Sequence, residues 1–218
     1  MDNKIKIDIV SDVVCPWCVV GYRKLKQAIT ELEIEDKIEI EWQPFQLNPD
    51  MPKEGKNENQ YSIDKYKLNK NDLIKRRNTF VEKGEEVGFK FDLFEDMKIF
   101  NTLDAHILLE YAREFGKQTQ LEVRLTEAFF SERKDISNRD TLSLELQSVG
   151  LNAKEGLSKL DDQKVRKYTE TKASNWVTKG VTGVPTMVFN DEITLNGALP
   201  IGTYKQVLTE ILGLKKFK

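Results

Sequence analysis

The sequence concentrates its reactive chemistry in two cysteines three residues apart. They are Cys15 and Cys18, in Val14-Cys15-Pro16-Trp17-Cys18, and no other cysteine occurs in the 218 residues. Such a pair can be half of a metal site, two inert thiols, or a dithiol that cycles with a disulfide. A structural staple is disfavoured, because a crosslink restrains the unfolded chain more the longer the loop it closes, and this loop is short. Zinc is poorly supported: structural sites take four Cys or His ligands, and the chain adds only the single, distant His106. Two ordinary core thiols remain an alternative, since cysteine packs as a small apolar side chain.

The elements around the pair favour redox chemistry. Ile5, Ile7, Ile9 and Val10, with Lys4, Lys6 and Asp8 between them, predict a strand ending at Ser11-Asp12. From Pro16 the pattern turns helical, with Val19, Val20, Tyr22, Leu25, Ala28, Ile29 and Leu32 largely on one face. Pro16 suits the first helical turn, where its missing N–H would have had no partner. Cys15 then sits at a helix N-terminus, where unpaired N–H groups and the macrodipole favour an anion. A free thiol ionises near about pH 8.5, and such a position favours the reactive thiolate. Cys15 is therefore the candidate nucleophile. Cys18, one turn on and on the same face, is the candidate resolving thiol that attacks a mixed disulfide at Cys15.

Composition excludes several other classes. Thirty-four Lys and Arg against 36 Asp and Glu give a net charge of -2, leaving no basic excess for a phosphate backbone or an anionic membrane surface. Apolar residues, 39% of the chain, recur along its length, which argues for a folded domain. No apolar run approaches the roughly 20 residues that cross a bilayer. The start, Met1-Asp2-Asn3-Lys4, has no secretory leader pattern, so the expected setting is the cytosol, with no nucleic-acid or membrane partner.

Far downstream, Gly183-Val184-Pro185-Thr186 leads into a short apolar run, Met187-Val188-Phe189. Proline is tolerated at the first residue of a strand, and trans is its ordinary isomer. With this segment beside Asp12-Val13-Val14-Cys15-Pro16-Trp17-Cys18, Asn101-Thr102-Leu103-Asp104-Ala105-His106 and Leu195-Asn196-Gly197-Ala198, the chain resembles the thioredoxin superfamily. Within it, the likeness is to the DsbA-like thiol oxidoreductases of the FrnE type. It spans nearly the whole chain, and CPWC and GVPT are its most specific elements. The resemblance implies that Cys15 attacks, that Cys18 resolves, and that Pro16 and Trp17 complete the active-site motif. It also implies that Pro185 is a cis-proline packed beside the cysteines and that the Val184 backbone pairs with an extended substrate segment. Such pairing suits a broad range of protein substrates. Leu199 stands where FrnE-type relatives commonly have glutamine.

The function expected is protein disulfide exchange through a redox-active disulfide, with no resident cofactor or metal and with protein or small-molecule thiols and disulfides as partners. Glutathione is a possible reductant. Two alternatives stand beside it. One is a glutathione-dependent isomerase or transferase related to the chromene-carboxylate isomerases and kappa-class transferases, although serine is usual there at the first cysteine. The other is a chaperone-like binding module without turnover.

The expected fold is α/β, a thioredoxin-like fold with an inserted α-helical domain. Residues 1–50 and 180–218 form the thioredoxin-like part and 51–179 the insert. A second strand runs over Ile38 to Trp42 and on through Leu47, and Gly55 to Gln60 reads as a mobile loop. Helices are expected from Asn71 to Glu86 with a cap at Asn71, Thr102 to Phe115, Gln118 to Arg133, Asp140 to Val149 and Lys164 to Lys179. A hairpin over Thr186 to Phe189 and Ile193 to Leu195 turns at Asn190-Asp191, and a last helix follows Pro200. His106 reads as a packing histidine, with its place in the Asn101 to His106 motif keeping an acid/base role open. Trp17 is a candidate contact for apolar substrate, whereas Trp42 and Trp176 read as packing residues. Lys215-Lys216 reads as a solvated tail, and no carboxylate stands apart from surface charge.

Overall fold

The computed structural model describes residues 4–52 and 54–213. The Lys215-Lys216 tail and the first three residues lie outside the described residues. Strand β1 (Ile5–Ser11) is followed by α1 (Pro16–Glu31) and by β2 (Ile38–Pro44), which runs parallel to β1 in the register Ile5↔Ile38 to Ser11↔Pro44. A parallel pair needs a crossover, and α1 supplies it.

Six helices of an insert come next. They are α2 (Glu58–Tyr66), α3 (Lys70–Glu85), α4 (Leu103–Glu114), α5 (Gln118–Phe130), α6 (Arg139–Ser148) and α7 (Ala153–Lys159). Two-residue strands β3 (Lys56–Asn57) and β4 (Lys98–Ile99) pair with each other in a separate small sheet. Helix α8 (Gln163–Thr178) leads back to the main sheet through β5 (Thr186–Phe189), β6 (Ile193–Asn196) and α9 (Ile201–Ile211). The main sheet has the order β2-β1-β5-β6, with β5 antiparallel to both neighbours. The β5–β6 turn forms because Asn190 and Asp191 both accept positive φ, 50° and 58°.

Both faces of β1 are covered, so its alternation is between two cores rather than between core and solvent. Ile5, Ile7 and Ile9 pack with Tyr22 and Leu25 of α1 and with Tyr204 and Leu208 of α9. On the opposite face Val10 packs with Phe45, Trp176, Val181 and Val188. A third core, built on Leu108, Leu121, Leu125, Phe129 and Leu142 of the insert, also takes in Val13, Val14, Val19 and Val20. The residues flanking the two cysteines therefore seal the seam between insert and sheet. At the free edge of β2, the Gln118 side chain takes the part of a further strand. It accepts the Trp42 N–H at 2.9 Å and donates to the Trp42 carbonyl at 2.9 Å.

Several boundaries differ from the expected ones for a shared reason. Helix α3 is capped by Asn69, not Asn71: the Asn69 side chain accepts from the N–H groups of Asn71 and Asp72, and Asp72 answers in a capping box. Asn138 and Asp162 likewise cap α6 and α8. The stretch from Gly55 to Gln60 is not a loop throughout. It contains β3 and the start of α2, whose Asn57 cap accepts from the Gln60 N–H. Helix α5 stops at Phe130 ahead of a left-handed Arg133 with φ 59°, and β2 ends at Pro44.

Candidate active site

A tight turn delivers the first cysteine. The Cys15 N–H donates to the Asp12 carbonyl at 2.9 Å, and Pro16 opens α1 where a missing N–H costs nothing. Cys15 is the N-cap residue, in extended conformation, and makes no side-chain cap bond. The first turn of α1 carries no acidic residue, so no carboxylate from that turn competes for the positive end of the helix beside the Cys15 sulfur. Both cysteines are free thiols and buried, Cys15 at 4% exposure and Cys18 at 1%.

The late segment closes over them. The Cys15 thiol donates to the Val184 carbonyl at 3.7 Å, and the Val184–Pro185 peptide bond is cis. The Pro185 carbonyl accepts the Gly197 N–H at 2.7 Å, and the Thr186 hydroxyl lies 2.9 Å from the Asn196 side-chain oxygen, so the Leu195–Ala198 motif braces the proline. Gly21 makes room for the ring: a Cβ there would lie 3.0 Å from Pro185 Cγ. Cys15, Pro16, Cys18, Val184 and Pro185 thus gather in one place. Trp17 is 36% exposed and turns its ring edge-on to Phe80, centroids 5.4 Å apart, over the insert. Trp42 and Trp176 are buried. Asn101 ties the Gln46–Met51 segment to the start of α4, accepting from Gln46 Nε2 at 3.1 Å and donating to the Pro49 carbonyl at 2.9 Å.

Beneath the cysteines lies a polar layer that joins Asp12 and His106 of the motif segments to Ser11 and to Glu122, which no motif marks. Ser11, Asp12, His106 and Glu122 are each no more than 3% exposed. The Ser11 hydroxyl donates to Glu122 Oε1 at 3.1 Å, and His106 Nε2 lies 3.0 Å from the Phe45 carbonyl and 3.6 Å from Asp12 Oδ1. That last distance is an ion-pair contact longer than a hydrogen bond. Asp12 Oδ1 and Glu122 Oε2 are both buried without a hydrogen-bond partner among the described residues. Asp12 Oδ2 accepts the Leu47 N–H at 2.8 Å.

This layer shifts the proton affinities around Cys18. Burial pushes the Cys18 thiol well above its ordinary value. The adjoining Cys15 adds to that, while the Ser11 hydroxyl and the Asp12 backbone N–H oppose it. Burial also lifts the Glu122 carboxyl to about 7, against the opposing charge of His106 and the Ser11 hydrogen bond, with Asp12 reinforcing the rise. Burial alone would lower His106, but the carboxylates of Asp12 and Glu122 and the Phe45 carbonyl raise it. His106 is buried and sits against a backbone carbonyl, as a packing histidine does, and it also faces Asp12 Oδ1. Glu122 was hidden because α5 shows an ordinary amphipathic pattern, Leu121, Leu125 and Phe129, with several charged neighbours. Its single sequence trace is adjacency to Leu121 on the buried side.

The large cleft of about 760 Å³ lies elsewhere, between Phe45, Asn101, Asp104, Arg166 and Val177, and neither cysteine lines it. A smaller apolar recess reaches from Val14 and Pro16 to Tyr61, Phe80 and Phe130 of the insert. Among the described residues no group of three or more His, Cys, Asp or Glu is placed to hold a metal ion.

Three comparisons with known proteins bear on the family and the fold. The profile of the family described as "DSBA-like thioredoxin domain" matches residues 6–209. YwbO of Bacillus subtilis, itself uncharacterized, is 24% identical over 211 residues, covering 94% of this chain and 96% of its own. A probable DsbA oxidoreductase of Streptomyces coelicolor superposes with a TM-score of 0.89 at 23% identity, over 98% of this chain and 92% of that one. The cytosolic disulfide reductase DsbM of Pseudomonas aeruginosa, solved with GSH, superposes at 0.67 with 15% identity, over 96% of this chain and all of its own, 100%.

Proposed function

Since the chain belongs to the DSBA-like thioredoxin domain family, we propose that it is a thiol–disulfide oxidoreductase that exchanges disulfides with protein substrates through Cys15 and Cys18. The observation that carries this reading is the Cys15 thiol, uncapped at the α1 N-terminus and set against the Val184 carbonyl, with Cys18 one turn beneath it. The reduced protein acts as follows. The Cys15 thiolate attacks one sulfur of a substrate disulfide, a Cys15–substrate bond forms, and the other substrate sulfur leaves with the electron pair. Cys18 then attacks Cys15, the Cys15–Cys18 disulfide forms, and the second substrate sulfur leaves as a thiolate. The substrate gains two electrons and the enzyme loses them. Run backwards, the same steps oxidise a dithiol.

Val184 and Pro185 position the substrate: an extended segment lies along the Val184 backbone, held by main-chain groups beside the Cys15 sulfur. No resident cofactor is needed, because the electrons are stored in the disulfide. Glutathione serves as a small-molecule reductant in this proposal, which the glutathione-bound neighbour supports. The cytosolic setting belongs to the same proposal, as does membership of the FrnE type. It is supported by that cytosolic reductase and is compatible with the described helices, none of which is long and apolar enough to cross a membrane.

The test is reduction of insulin by dithiothreitol, and separately reduction of glutathione disulfide, with wild type and Cys15→Ser side by side. Wild type accelerates both and Cys15→Ser neither. Equal rates for the two proteins refute the proposal. Turnover of an electrophile with glutathione by a Cys15→Ser, Cys18→Ser protein points instead to the glutathione-dependent isomerase or transferase class. Client protection equal to wild type by that same variant points to a binding module.

A further inference from the structure

Both chain neighbours of Cys15 line one recess that the sulfur chemistry does not use. Val14 and Pro16 line it together with Leu73, Phe80 and Phe130 of the insert. Trp17 follows Pro16 and meets Phe80 edge-on at 5.4 Å, so the reactive turn and the recess share a wall. Consecutive Cα atoms are about 3.8 Å apart, which starts the recess within one residue of the attacking cysteine. A substrate held extended along the Val184 backbone advances about 3.3 Å per residue. A side chain one or two positions from the substrate's own cysteine therefore comes within reach of the recess.

The size and lining of the recess say which side chain fits. It holds about 90 Å³. An apolar cavity of about 150 Å³ takes benzene, and one water of the liquid fills about 30 Å³, so this recess suits a branched aliphatic group and is too small for a ring. Leu73, Phe80, Met97, Ile99 and Phe130 are buried around it, and an entering side chain exchanges water for apolar contact.

The charged groups of the lining favour an anion beside that side chain. Arg76 and Arg77 stand against one carboxylate, Glu58, and Lys65 adds a third cation by donating to the lining residue Asn48 at 2.9 Å. Glu58 is already engaged: it accepts the Ser62 hydroxyl at 2.7 Å and faces Arg76 at 3.7 Å. Arg76 lies over the rings of Tyr66 and Phe80 at 5.1 and 5.4 Å, which keeps its guanidinium on the aromatic wall. Arg77 donates to the Asn59 side-chain oxygen at 2.7 Å and has no carboxylate partner among the described residues. A guanidinium carries five donors in a planar fork that matches a carboxylate, so Arg77 keeps donors for an incoming one.

We propose that this recess selects the protein substrate: it takes a branched aliphatic side chain one or two residues from the reacting cysteine, and Arg77 binds a carboxylate next to that side chain. The preferred disulfide lies in an acidic, aliphatic stretch of chain. This rests on the exchange reading above and adds the chemistry of the substrate to it. Arg77 sets specificity and takes no part in the sulfur chemistry. The large cleft carries no such rule, because neither neighbour of Cys15 lines it.

Three pentapeptides test this on the reduced protein: Glu-Leu-Cys-Leu-Glu, Glu-Ala-Cys-Ala-Glu and Gln-Leu-Cys-Leu-Gln, each as its mixed disulfide with 2-thiopyridine. Their symmetry makes the direction of the bound chain immaterial. Cys15 forms a bond to the peptide sulfur, and 2-thiopyridone leaves with the bonding pair and is followed by its absorbance. Each rate is divided by that of dithiothreitol with the same peptide, which removes the peptide's own reactivity. With wild type at low salt the leucine peptide reacts about tenfold faster than the alanine one. The glutamate peptide reacts about threefold faster than the glutamine one, and this ratio falls toward one in 1 M salt. Arg77→Gln loses the glutamate preference and keeps the leucine preference, whereas Leu73→Trp, which fills the recess, loses the leucine preference. Rates are compared within each protein, so a change in overall reactivity cancels. Should Leu73→Trp fail to fold, the wild-type ratios and Arg77→Gln decide. A leucine preference below about twofold, no glutamate preference in wild type, or a glutamate preference that persists in Arg77→Gln overturns the proposal. A protein unreactive toward all three peptides removes the exchange reading and this one with it, whereas equal rates for the three remove this one alone.

Discussion

The Glu122 carboxyl should be visible in the pH dependence of folding. In the unfolded chain it ionises at its ordinary value of 4.5, and in the folded protein burial lifts this to about 7. Between those values the folded state holds a proton that the unfolded state has released, so the group's contribution to stability is full below about pH 4.5 and is lost as pH rises through about 7. Each pH unit of that displacement is worth about 1.4 kcal/mol, giving about 3 kcal/mol across the window. His106, raised above 6.5, adds a loss of the same sign at the upper end of the range. Glu122→Gln removes the titrating group and keeps the Ser11 hydrogen bond to a side-chain carbonyl oxygen. Urea unfolding of reduced wild type and variant at several values between about pH 4.5 and pH 8 reads the difference. The variant gains about 3 kcal/mol on wild type from the acid end to the alkaline end. Parallel stability curves for the two proteins refute the reasoning, because a carboxyl that titrates alike in both states contributes no slope.

Other expectations concern the cysteines, the proline and the insert. Cys18→Ser accumulates a mixed disulfide at Cys15 with a peptide disulfide, seen as one added peptide by mass spectrometry, and Cys15→Ser accumulates none; equal adducts contradict the assignment of attacking and resolving thiols. Gly21→Ala sets a Cβ 3.0 Å from Pro185 Cγ while improving the helix propensity of α1 by up to about 1 kcal/mol. Insulin turnover should therefore fall about fivefold through a displaced Pro185 while the urea midpoint holds or rises, and a midpoint that falls in step with turnover would count against that account. Arg124 pairs with Glu132 at 2.6 Å and with the buried Glu145, which keeps Lys134 at 2.8 Å as a second partner. Arg124→Met costs about 2 kcal/mol, checked by urea denaturation, with an unchanged midpoint the refuting result. The Arg124 hydrogen bond, followed by Lys134, holds Glu132 at about 2, so its contribution is present above 4.5 and lost as pH falls through about 2; the variant flattens that acid limb.

The parts of this protein legible in the sequence are those set by neighbours along the chain. The strand β1, the N1 proline of α1, both cysteines and the Asn190-Asp191 turn depend on periodicity, φ restriction and local capping, which act over a few residues. For the late Val184-Pro185, a place beside Cys15 follows from the resemblance alone, and the structure puts the thiol 3.7 Å from the Val184 carbonyl. The cap of α3 lies two residues ahead of the expected Asn71 because Asn69 and Asn71 are equally good caps by type, and the Asp72 answer decides between them. Helix α2 has no counterpart among the expected helices because its nine residues bury only Ser62 and show no apolar stripe.

That a dithiol stands at a strand-to-helix junction follows from local pattern, since β1 and α1 are adjacent in the chain and their periodicities are strong. What lies beneath that dithiol is set by how distant elements pack. Ser11, His106 and Glu122 come from β1, α4 and α5, and each taken alone looks like a strand end, a packing histidine and one charge among many. Their meaning depends on burial and on distance through space, which set the cost of a buried charge, and neither quantity exists until the insert packs against the sheet.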